Sequence, residues 1–357
     1  MKIAILLPYK ENYSKFDTGA VSIFVNGVNN LSKYKDNIKI YGSTTHKPLS
    51  ENYKNLSLKK KFFQSSSKVY IKDFLKSIKN EKINILEIHN RPHYLKYLLK
   101  LKNTKKILFF HNNPTEMQGS ITIKERENLI KNSDMLIFNS NWTKSKFLEG
   151  LKIYKNDNKI KIIPQSTTKV RINFSKKKKI ISFVGKLNSS KGYDLFGEAI
   201  LKILNTYSDW KGIVIGNEPR QKLFYYHKNL INTGFKDNKY VLKKLEEVSI
   251  SVVPSRWDEP FGRSSLEASS RGCAVIRSDT GGLKETTDHA IVLKKMTSEE
   301  LFKKISFLIK NKKKLINLQK LNYNNFKLTN KYSSNLLDNI RKKLLLNNEN
   351  YKIRNKC

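Results

Sequence analysis

The feature that most constrains this chain is a recurring order of short apolar runs, loops and helical patterns. Lys2 to Pro8 is a compact apolar run, followed by a polar loop and then a helical pattern. The same order recurs along the chain and begins afresh at Ile180 to Val184. Buried parallel strands are nearly continuous hydrophobic runs, and crossover helices connect them. The sequence therefore predicts an α/β protein with two doubly wound parallel sheets in tandem.

The length supports two domains, because 357 residues exceed what one hydrophobic core usually serves. Residues 169–179 are polar and very basic, which is typical of an exposed connection between domains. We therefore expect a first domain over residues 1–170 and a second over residues 171–330. Residues 331–357 should form a C-terminal helix, for which packing back on the first domain is one arrangement.

The charge of the chain is strongly positive, with 70 basic and 30 acidic residues and a formal net charge of +40. Nucleic-acid binding, attraction to an anionic membrane or acceptor, and a compositional bias toward lysine would each produce this excess. The lysines are scattered and form no single arm, which favours compositional bias with general anion attraction. The basic stretches Leu58 to Lys79 and Tyr94 to Lys106 predict helices packed on a sheet or, alternatively, a surface that attracts an anionic bilayer.

Cysteine content and hydropathy bear on the compartment. Cys273 and Cys357 are too few for a disulfide framework, and no C-x-x-C zinc pattern exists. Met1 to Pro8 is too short for a signal peptide, and no apolar run reaches the roughly 18 residues that span a bilayer. We therefore expect a cytoplasmic protein, with the cytoplasmic face of a membrane as an alternative location.

A candidate binding site lies between Val253 and Glu267, where an apolar run, a turn with proline and glycine, and a helical pattern follow one another. In open α/β sheets, ligands bind outside the carboxyl ends of the strands. The start of the helix presents unpaired N–H groups that attract an anion, and Gly262 lets the anion approach the backbone. Glu259 and Glu267 lie on either side of this helix start. The stretch predicts a phosphorylated ligand between two carboxylates, although solvated surface glutamates fit the spacing as well.

A second candidate loop follows the first apolar run of the second domain. Gly185-Lys186 and Lys191-Gly192 place two lysines between glycines on a loop that connects a strand to a helix. Lysine is a compact charge that suits phosphate. In the first domain, polar residues follow two apolar runs: His89 and Arg91 follow one, and His111 follows the next.

Together these motifs resemble the signature of family 4 glycosyltransferases, which are retaining enzymes with the GT-B fold of two Rossmann-like domains facing a cleft. The matching segments are Pro254-Ser255, Glu259-Pro260-Phe261-Gly262, Leu266-Glu267-Ala268, Gly272, Val275-Ile276 and Gly281-Gly282-Leu283-x-Glu285. Val184 to Gly192 is similar to the diphosphate-binding loop of that family, and Ser133-Asp134-x6-Asn141-Trp142 to the end of its N-terminal domain. The segment from His111 to Gly150 further resembles bacterial enzymes that build lipopolysaccharide core or other cell-surface glycans.

The resemblance implies a role for each matched residue. Glu267 would bind the ribose hydroxyls, and Glu259 would orient the donor sugar. The implied catalytic residues are Glu259, Lys186, Lys191 and His111, the lysines stabilising the departing diphosphate and the histidine lying near the transferred sugar. The implied nucleotide-sugar contacts are Gly19, Ala20, Gly185, Lys186, Lys191, Glu259, Phe261, Gly262, Ser265, Leu266 and Glu267. His89 and Arg91 would contact the acceptor, and neither a metal ion nor another cofactor is required.

The implied reaction is retaining transfer from a UDP-, GDP- or ADP-linked sugar to a bacterial surface glycan, such as lipopolysaccharide core, or to a lipid-linked precursor. Its partners would be the nucleotide sugar, a glycan or glycolipid acceptor and, at the periphery, a membrane. The chain departs from the family pattern at Lys186, where arginine is usual, and at Gln165-Ser166-Thr167-Thr168, where Asn-Gly-(Val/Ile)-Asp is common. The alternatives are a phosphorylase-like or hydrolase activity, an inactive sugar-nucleotide-binding relative, and a nucleic-acid-binding protein. No nucleic-acid-binding motif supports the last of these.

Overall fold

The computed structural model describes residues 1–16, 18–56, 65–151, 158–221 and 223–354, with side chains up to residue 346. The chain divides into two compact units. Unit 1 contains the residues up to Ser166 and those from Asn330 onward, and unit 2 is Thr167–Thr329. Asp17 of the predicted first loop and the beginning of the basic stretch from Leu58 lie outside the described residues.

Unit 1 is built on a seven-stranded parallel sheet. Its strands are β1 (Ile3–Leu6), β2 (Ile38–Gly42), β3 (Tyr53–Asn55), β4 (Ile85–His89), β5 (Lys105–Phe110), β6 (Met135–Phe138) and β7 (Ile160–Ile162). Its first helices are α1 (Ala20–Asn29), α2 (Ser66–Ser77), α3 (Leu95–Leu98), α4 (Ile123–Asn132) and α5 (Asn141–Leu148). The spatial order β3-β2-β1-β4-β5-β6-β7 is that of a doubly wound sheet.

The packing of unit 1 follows from its apolar pattern. Strands β1 and β6 are buried along their whole length, as expected for a parallel sheet covered on both faces. Helix α1 turns Phe24 and Val28 toward the sheet. Helix α4 begins with a capping box, in which Thr122 and Glu125 satisfy each other's backbone N–H groups.

Unit 2 repeats this architecture with six parallel strands. The strands are β8 (Lys178–Val184), β9 (Lys211–Ile215), β10 (Leu230–Asn232), β11 (Val248–Val253), β12 (Ala274–Arg277) and β13 (Ile291–Val292). The helices are α6 (Tyr193–Thr206), α7 (Asn238–Leu245), α8 (Arg263–Ser270), α9 (Ser298–Lys310) and α10 (Lys312–Asn324). The order β10-β9-β8-β11-β12-β13 reverses between β8 and β11, which is where open α/β sheets bind ligands. The prediction of two doubly wound parallel sheets is confirmed.

The last helix, α11 (Asn330–Arg354), belongs to unit 1. Its buried Leu337 and Leu344 join the apolar cluster that contains Phe24 and Val28 of α1. Between these leucines, Arg341 reaches the sheet and binds Glu87 of β4, and neither side chain is exposed to solvent. Helix α11 therefore covers the same face of the sheet as α1. None of the described helices is both long enough and apolar enough to cross a bilayer.

Two sequence expectations differ from the structure. Tyr94 to Lys106 does not form one helix, because α3 covers only Leu95–Leu98 and the chain must reach β5 at Lys105. Residues 169–179 are not uniformly exposed. Lys177 lies inside unit 2, where its ammonium donates to the carbonyl oxygens of Leu245, Val248 and Arg271 at 3.0, 2.7 and 2.7 Å. These carbonyls replace the water that a lysine normally requires, so a basic run can enter the fold.

Candidate functional site

The candidate site in unit 2 is built by the loops that leave β8 and β11 side by side. Gly192 ends the first loop with φ 72°, and a Cβ at this position would overlap the carbonyl oxygen of Pro254. The carbonyl oxygen of Ser190 accepts the backbone N–H groups of Arg256 and Trp257 at 2.9 and 3.0 Å. Only glycine permits this approach, and the two loops therefore form one surface at the reversal point of the sheet.

Lys191 and Glu259 meet on this surface. The Lys191 ammonium lies 2.6 Å from Oε1 of Glu259 and 4.2 Å from the centre of the Trp257 ring. The lysine side chain is 22% exposed and the glutamate side chain 12%. The family resemblance assigned Lys191 to the diphosphate and Glu259 to the sugar of the donor. The structure brings them together as a half-buried ion pair, so each sets the charge that the other presents to a ligand.

Lys186, on the same loop, is exposed and lies near a carboxylate that the sequence did not single out. Glu218, in the loop after β9, binds Arg220 through both carboxylate oxygens at 2.7 and 2.9 Å. The hydrogen bonds from Arg220, with a smaller contribution from the charge of Lys186, lower the pKa of Glu218 to about 2. Glu218 is therefore ionised beside the diphosphate-binding loop predicted from the sequence.

Glu267 lies one turn inside α8 and is almost fully buried. Its Oε1 accepts from Arg263 at 2.7 Å and from the side-chain amide of Asn238, at the start of α7, at 2.8 Å. These donors hold the carboxylate in one orientation, which suits binding to a pair of neighbouring hydroxyls. Neither donor was singled out from the sequence, because Arg263 looks like a surface residue of a helix and Asn238 lies 29 positions from Glu267.

At the start of α8, the backbone N–H groups rather than the side chains are available to contact a ligand. Gly262 has φ 102°, and a Cβ there would overlap Cδ1 of Leu283. Phe261 and Leu266 are buried with Phe326, and the Ser265 hydroxyl bonds Thr286. The side chains of Phe261, Ser265 and Leu266, which the sequence predicted as ligand contacts, therefore pack against the protein and support the helix. The groups able to bind an anion here are the first backbone N–H groups of α8.

In unit 1, Gly19 and Ala20 lie at the start of α1, as the predicted strand, loop and helix required. The Glu11 carboxylate lies at the same helix end and accepts the backbone N–H of Ser22 at 3.0 Å. An anion at this helix end would therefore have to displace Glu11 or overcome its repulsion. The sequence pattern missed Glu11, which lies in the irregular segment after β1.

His111 and His89 lie next to each other in unit 1. His111 follows β5 and is 6% exposed, whereas His89 ends β4 and is 1% exposed. Nδ1 of His89 lies 3.0 Å from Nε2 of His111. An acceptor would reach His89 only if neighbouring side chains moved, and this contact stays a prediction. Arg91 is half-buried and donates to the carbonyl oxygen of Asn90 at 2.7 Å.

The described residues contain no group of three or more His, Cys, Asp or Glu side chains that could hold a metal ion. The lysines on the predicted phosphate-binding loop are Lys186 and Lys191. Cys273 is buried, and burial raises the pKa of its thiol. A buried thiol with a raised pKa is a poor nucleophile, and Cys273 therefore packs as a small apolar residue.

Comparison with known proteins agrees with the motifs. Residues 164–326 match the family model described as Glycosyl transferases group 1. YtcC of Bacillus subtilis (strain 168) is 20% identical over 324 residues, which are 82% of this chain and 78% of that protein. The lipopolysaccharide core biosynthesis mannosyltransferase LpcC of Rhizobium leguminosarum bv. viciae is 28% identical over 116 residues, which are 30% of this chain and 33% of that enzyme.

The whole fold has solved counterparts. Anabaena Alr3699/HepE, determined in complex with UDP and glucose, superposes with a TM-score of 0.72 and 13% identity, over 96% of this chain and 100% of that chain. The chain therefore has the GT-B fold, with two parallel α/β units. Residues 164–326 carry the sequence similarity to the family described as Glycosyl transferases group 1. Nucleic-acid binding is not the function that these similarities favour.

Proposed function

We propose that this protein is a retaining, family 4-like glycosyltransferase that uses a nucleotide-diphosphate sugar and requires no metal ion. The observation that carries the proposal is the grouping of Lys186, Lys191, Glu259, Glu267 and the start of α8 at the reversal point of the unit 2 sheet. This grouping offers two cations and a helix start to a diphosphate, and a fixed carboxylate to a ribose. The UDP bound to HepE, a protein of the same fold, agrees with such a donor.

Each part of the donor has a proposed partner. The diphosphate lies against Lys186, Lys191 and the first N–H groups of α8, because charge that develops on the leaving group is stabilised most by fixed donors. Glu267 accepts the ribose hydroxyls while Arg263 and Asn238 hold it in place. Glu259 orients the sugar once the diphosphate draws Lys191 from it.

The proposed acceptor is a bacterial surface glycan, such as lipopolysaccharide core, or its lipid-linked precursor. The similarity to LpcC, a lipopolysaccharide core mannosyltransferase, supports this acceptor class. The excess of basic residues would attract anionic glycans and an anionic membrane surface. The proposed contacts of unit 1 with the sugar of the donor are His111, Gly19 and Ala20. The proposed contact with the acceptor is Arg91.

The proposal is tested by thermal unfolding of the full chain with a panel of UDP-, GDP- and ADP-sugars, followed by a transfer assay with the stabilising donor. A bound donor raises the unfolding temperature as its concentration exceeds its dissociation constant. Glu267→Ala should lose this stabilisation and the transfer activity. Glu300→Ala is the matched control, because Glu300 is also a partly buried helix carboxylate of unit 2, paired with Lys304.

Two results would contradict the proposal. Equal donor stabilisation in the wild type and Glu267→Ala would refute the ribose site. Release of free sugar or sugar phosphate without glycosylation of any offered acceptor would favour a hydrolase or phosphorylase.

A further inference from the structure

A row of buried polar side chains crosses the largely apolar face of unit 1 that α1 and α11 cover. It runs from Arg341 through Glu87 and His89 to His111, and it ends at Gln165. The exposed fractions of these five residues are 0%, 0%, 1%, 6% and 2%. Burying so many polar groups in an apolar layer is unfavourable unless each one is paired. The arrangement therefore calls for an explanation beyond packing.

The row of polar side chains begins at Arg341, whose guanidinium N–H groups are all hydrogen-bonded. Arg341 donates to both oxygens of Glu87 at 2.7 and 3.0 Å. Its remaining N–H groups reach Ser32, Asp338 and Asn29 at 3.0, 3.1 and 2.7 Å. Arginine has five N–H donors, and all five are used here. The guanidinium opposes the effect of burial and lowers the pKa of Glu87, which is therefore ionised.

Gln165, at the other end of this row of side chains, determines which nitrogen of His111 carries the proton. The side-chain amide nitrogen of Gln165, which can only donate, lies 2.9 Å from Nδ1 of His111. Nδ1 is then the acceptor, and in the neutral ring Nε2 carries the proton. Nε2 lies 3.0 Å from Nδ1 of His89 and donates to it. The proton of His89 is consequently on its own Nε2, which faces Glu87 at 4.0 Å.

Apolar and backbone contacts fix the two rings. His89 stacks on Phe109 with ring centres 4.2 Å apart, and Phe24 meets the His111 ring edge-on at 5.3 Å. The backbone N–H of His111 donates to the side chain of Asn90, and its carbonyl oxygen accepts from Asn139, both at 3.0 Å. These contacts therefore fix the planes of the His89 and His111 rings together with their hydrogen-bond partners.

We propose that Gln165, His89 and Glu87 are positioning residues that hold His111 as a neutral ring protonated on Nε2, with its Nδ1 lone pair bound to Gln165. The inference rests on the proposed function of His111 near the transferred sugar. A sugar hydroxyl reaches Nδ1 only in place of the Gln165 amide, and it then donates to an acceptor. Gln165 stands in the segment that departs from the family pattern.

The test is nitrogen-15 NMR of the full chain with labelled histidine, with His111→Asn used to assign the signals. His111 should show an unprotonated Nδ1 and a protonated Nε2 near neutral pH. Gln165→Glu replaces the donor by an acceptor and should move a proton onto Nδ1. Gln319→Glu is the matched control, because Gln319 is 3% exposed in unit 2 and donates to the carbonyl oxygen of Ser249. It should leave the His111 signals unchanged.

A protonated Nδ1 in the wild type, or identical His111 signals in folded Gln165→Glu and the wild type, would overturn the proposal. If Gln165→Glu does not fold, Gln165→Met removes the donor without adding charge, and a mixture of the two neutral tautomers is then expected. An unchanged single tautomer in Gln165→Met would overturn the proposal as well. These signals require no turnover, so the expected tautomer in a chain without transfer activity would contradict only the proposed function.

Discussion

Two ion pairs of nearly equal length distinguish the two units. Arg341 and Glu87 in unit 1 lie 2.7 Å apart, and Lys191 and Glu259 in unit 2 lie 2.6 Å apart. The first pair is fully buried, and every N–H of its guanidinium is bound to protein. The second pair is 22% and 12% exposed, and its ammonium lies against a carboxylate and a ring face. Distance alone therefore does not reveal whether a pair stabilises the fold or is available to a ligand.

The comparison predicts opposite consequences for stability and activity. The unit 1 pair should matter most for the free energy of unfolding, because its partners cannot be replaced by water. The unit 2 pair should matter most for turnover, because a diphosphate can replace the carboxylate as the partner of Lys191. Four experiments test this division, beginning with the largest expected effect.

The first experiment is Glu87→Met, which leaves the buried Arg341 without its bidentate partner. Removal of one partner of a buried ion pair destabilises a protein by about 3–5 kcal/mol. Urea unfolding of the full chain measures the change. Glu81→Met is the control in the same unit, since the Glu81 carboxylate is 23% exposed and its pairs with Lys2 and Lys39 are near the surface. A control loss above about 1 kcal/mol, or equal losses in both variants, would contradict the division.

The second experiment is Lys191→Met, which removes a proposed donor to the leaving diphosphate. Loss of one such donor lowers kcat by roughly 100-fold or more. The unfolding free energy should change by less than about 1 kcal/mol, because the pair with Glu259 is partly exposed. Lys202→Met on α6 is the control, because Lys202 is 55% exposed and pairs only with Glu299 among the described residues. Normal turnover by Lys191→Met would exclude the lysine from the donor site.

The third experiment follows the stability of the wild type and of His89→Asn with pH. Burial lowers the pKa of His89 from its ordinary 6.5, despite the opposing influence of Glu87. The unfolded chain therefore binds more protons than the folded chain below pH 6.5, so stability falls as the pH drops from 6.5 toward the folded pKa. The slope contributed by one proton is at most about 1.4 kcal/mol per pH unit.

His89→Asn should reduce this slope, while most of the separate loss below pH 4.5 should persist, because the charge of Arg341 lowers the pKa of Glu87 more than His89 does. That second loss comes from Glu87, whose folded pKa lies below its ordinary 4.5. The groups that face His89 are Glu87, Arg341, His111 and Phe109. An equal slope between pH 6.5 and 4.5 in both proteins would show that His89 is not buried in its neutral form.

Local sequence patterns predicted the turns and elements that carry the candidate residues of unit 2, because these features are visible in a short window. Gly192, Gly262 and Pro260 mark the turns where strands end, and Lys191, Glu259 and Glu267 lie beside them. The same windows predicted most strands, since a buried parallel strand is a continuous apolar run. The roles of these residues remain predictions, whereas the turns and elements that carry them are in the structure.

Distant partners could not be predicted in this way. Arg341 and Glu87 are 254 positions apart and meet only because α11 packs on unit 1. Lys177 lies in a lysine run that resembles an exposed connection, and its burial depends on carbonyl groups 68, 71 and 94 positions away. Glu11 and Asn238 carry no local signal, and each becomes important through the helix end or carboxylate that it meets. These relations depend on tertiary packing, which a single sequence does not display.

The smallest expected effect is the coupling between Lys191 and Glu259 in the absence of a donor. A double-mutant cycle with Lys191→Met and Glu259→Gln should give a coupling of about 1 kcal/mol in the unfolding free energy, as for a partly exposed pair. The cycle on Lys202 and Glu299, whose side chains are 55% and 54% exposed, should give less than about 0.5 kcal/mol. With saturating nucleotide sugar, the Lys191–Glu259 coupling should fall, because the diphosphate then competes with Glu259 for the ammonium. A coupling that is unaffected by the donor would make this pair structural, as Arg341 and Glu87 are in unit 1.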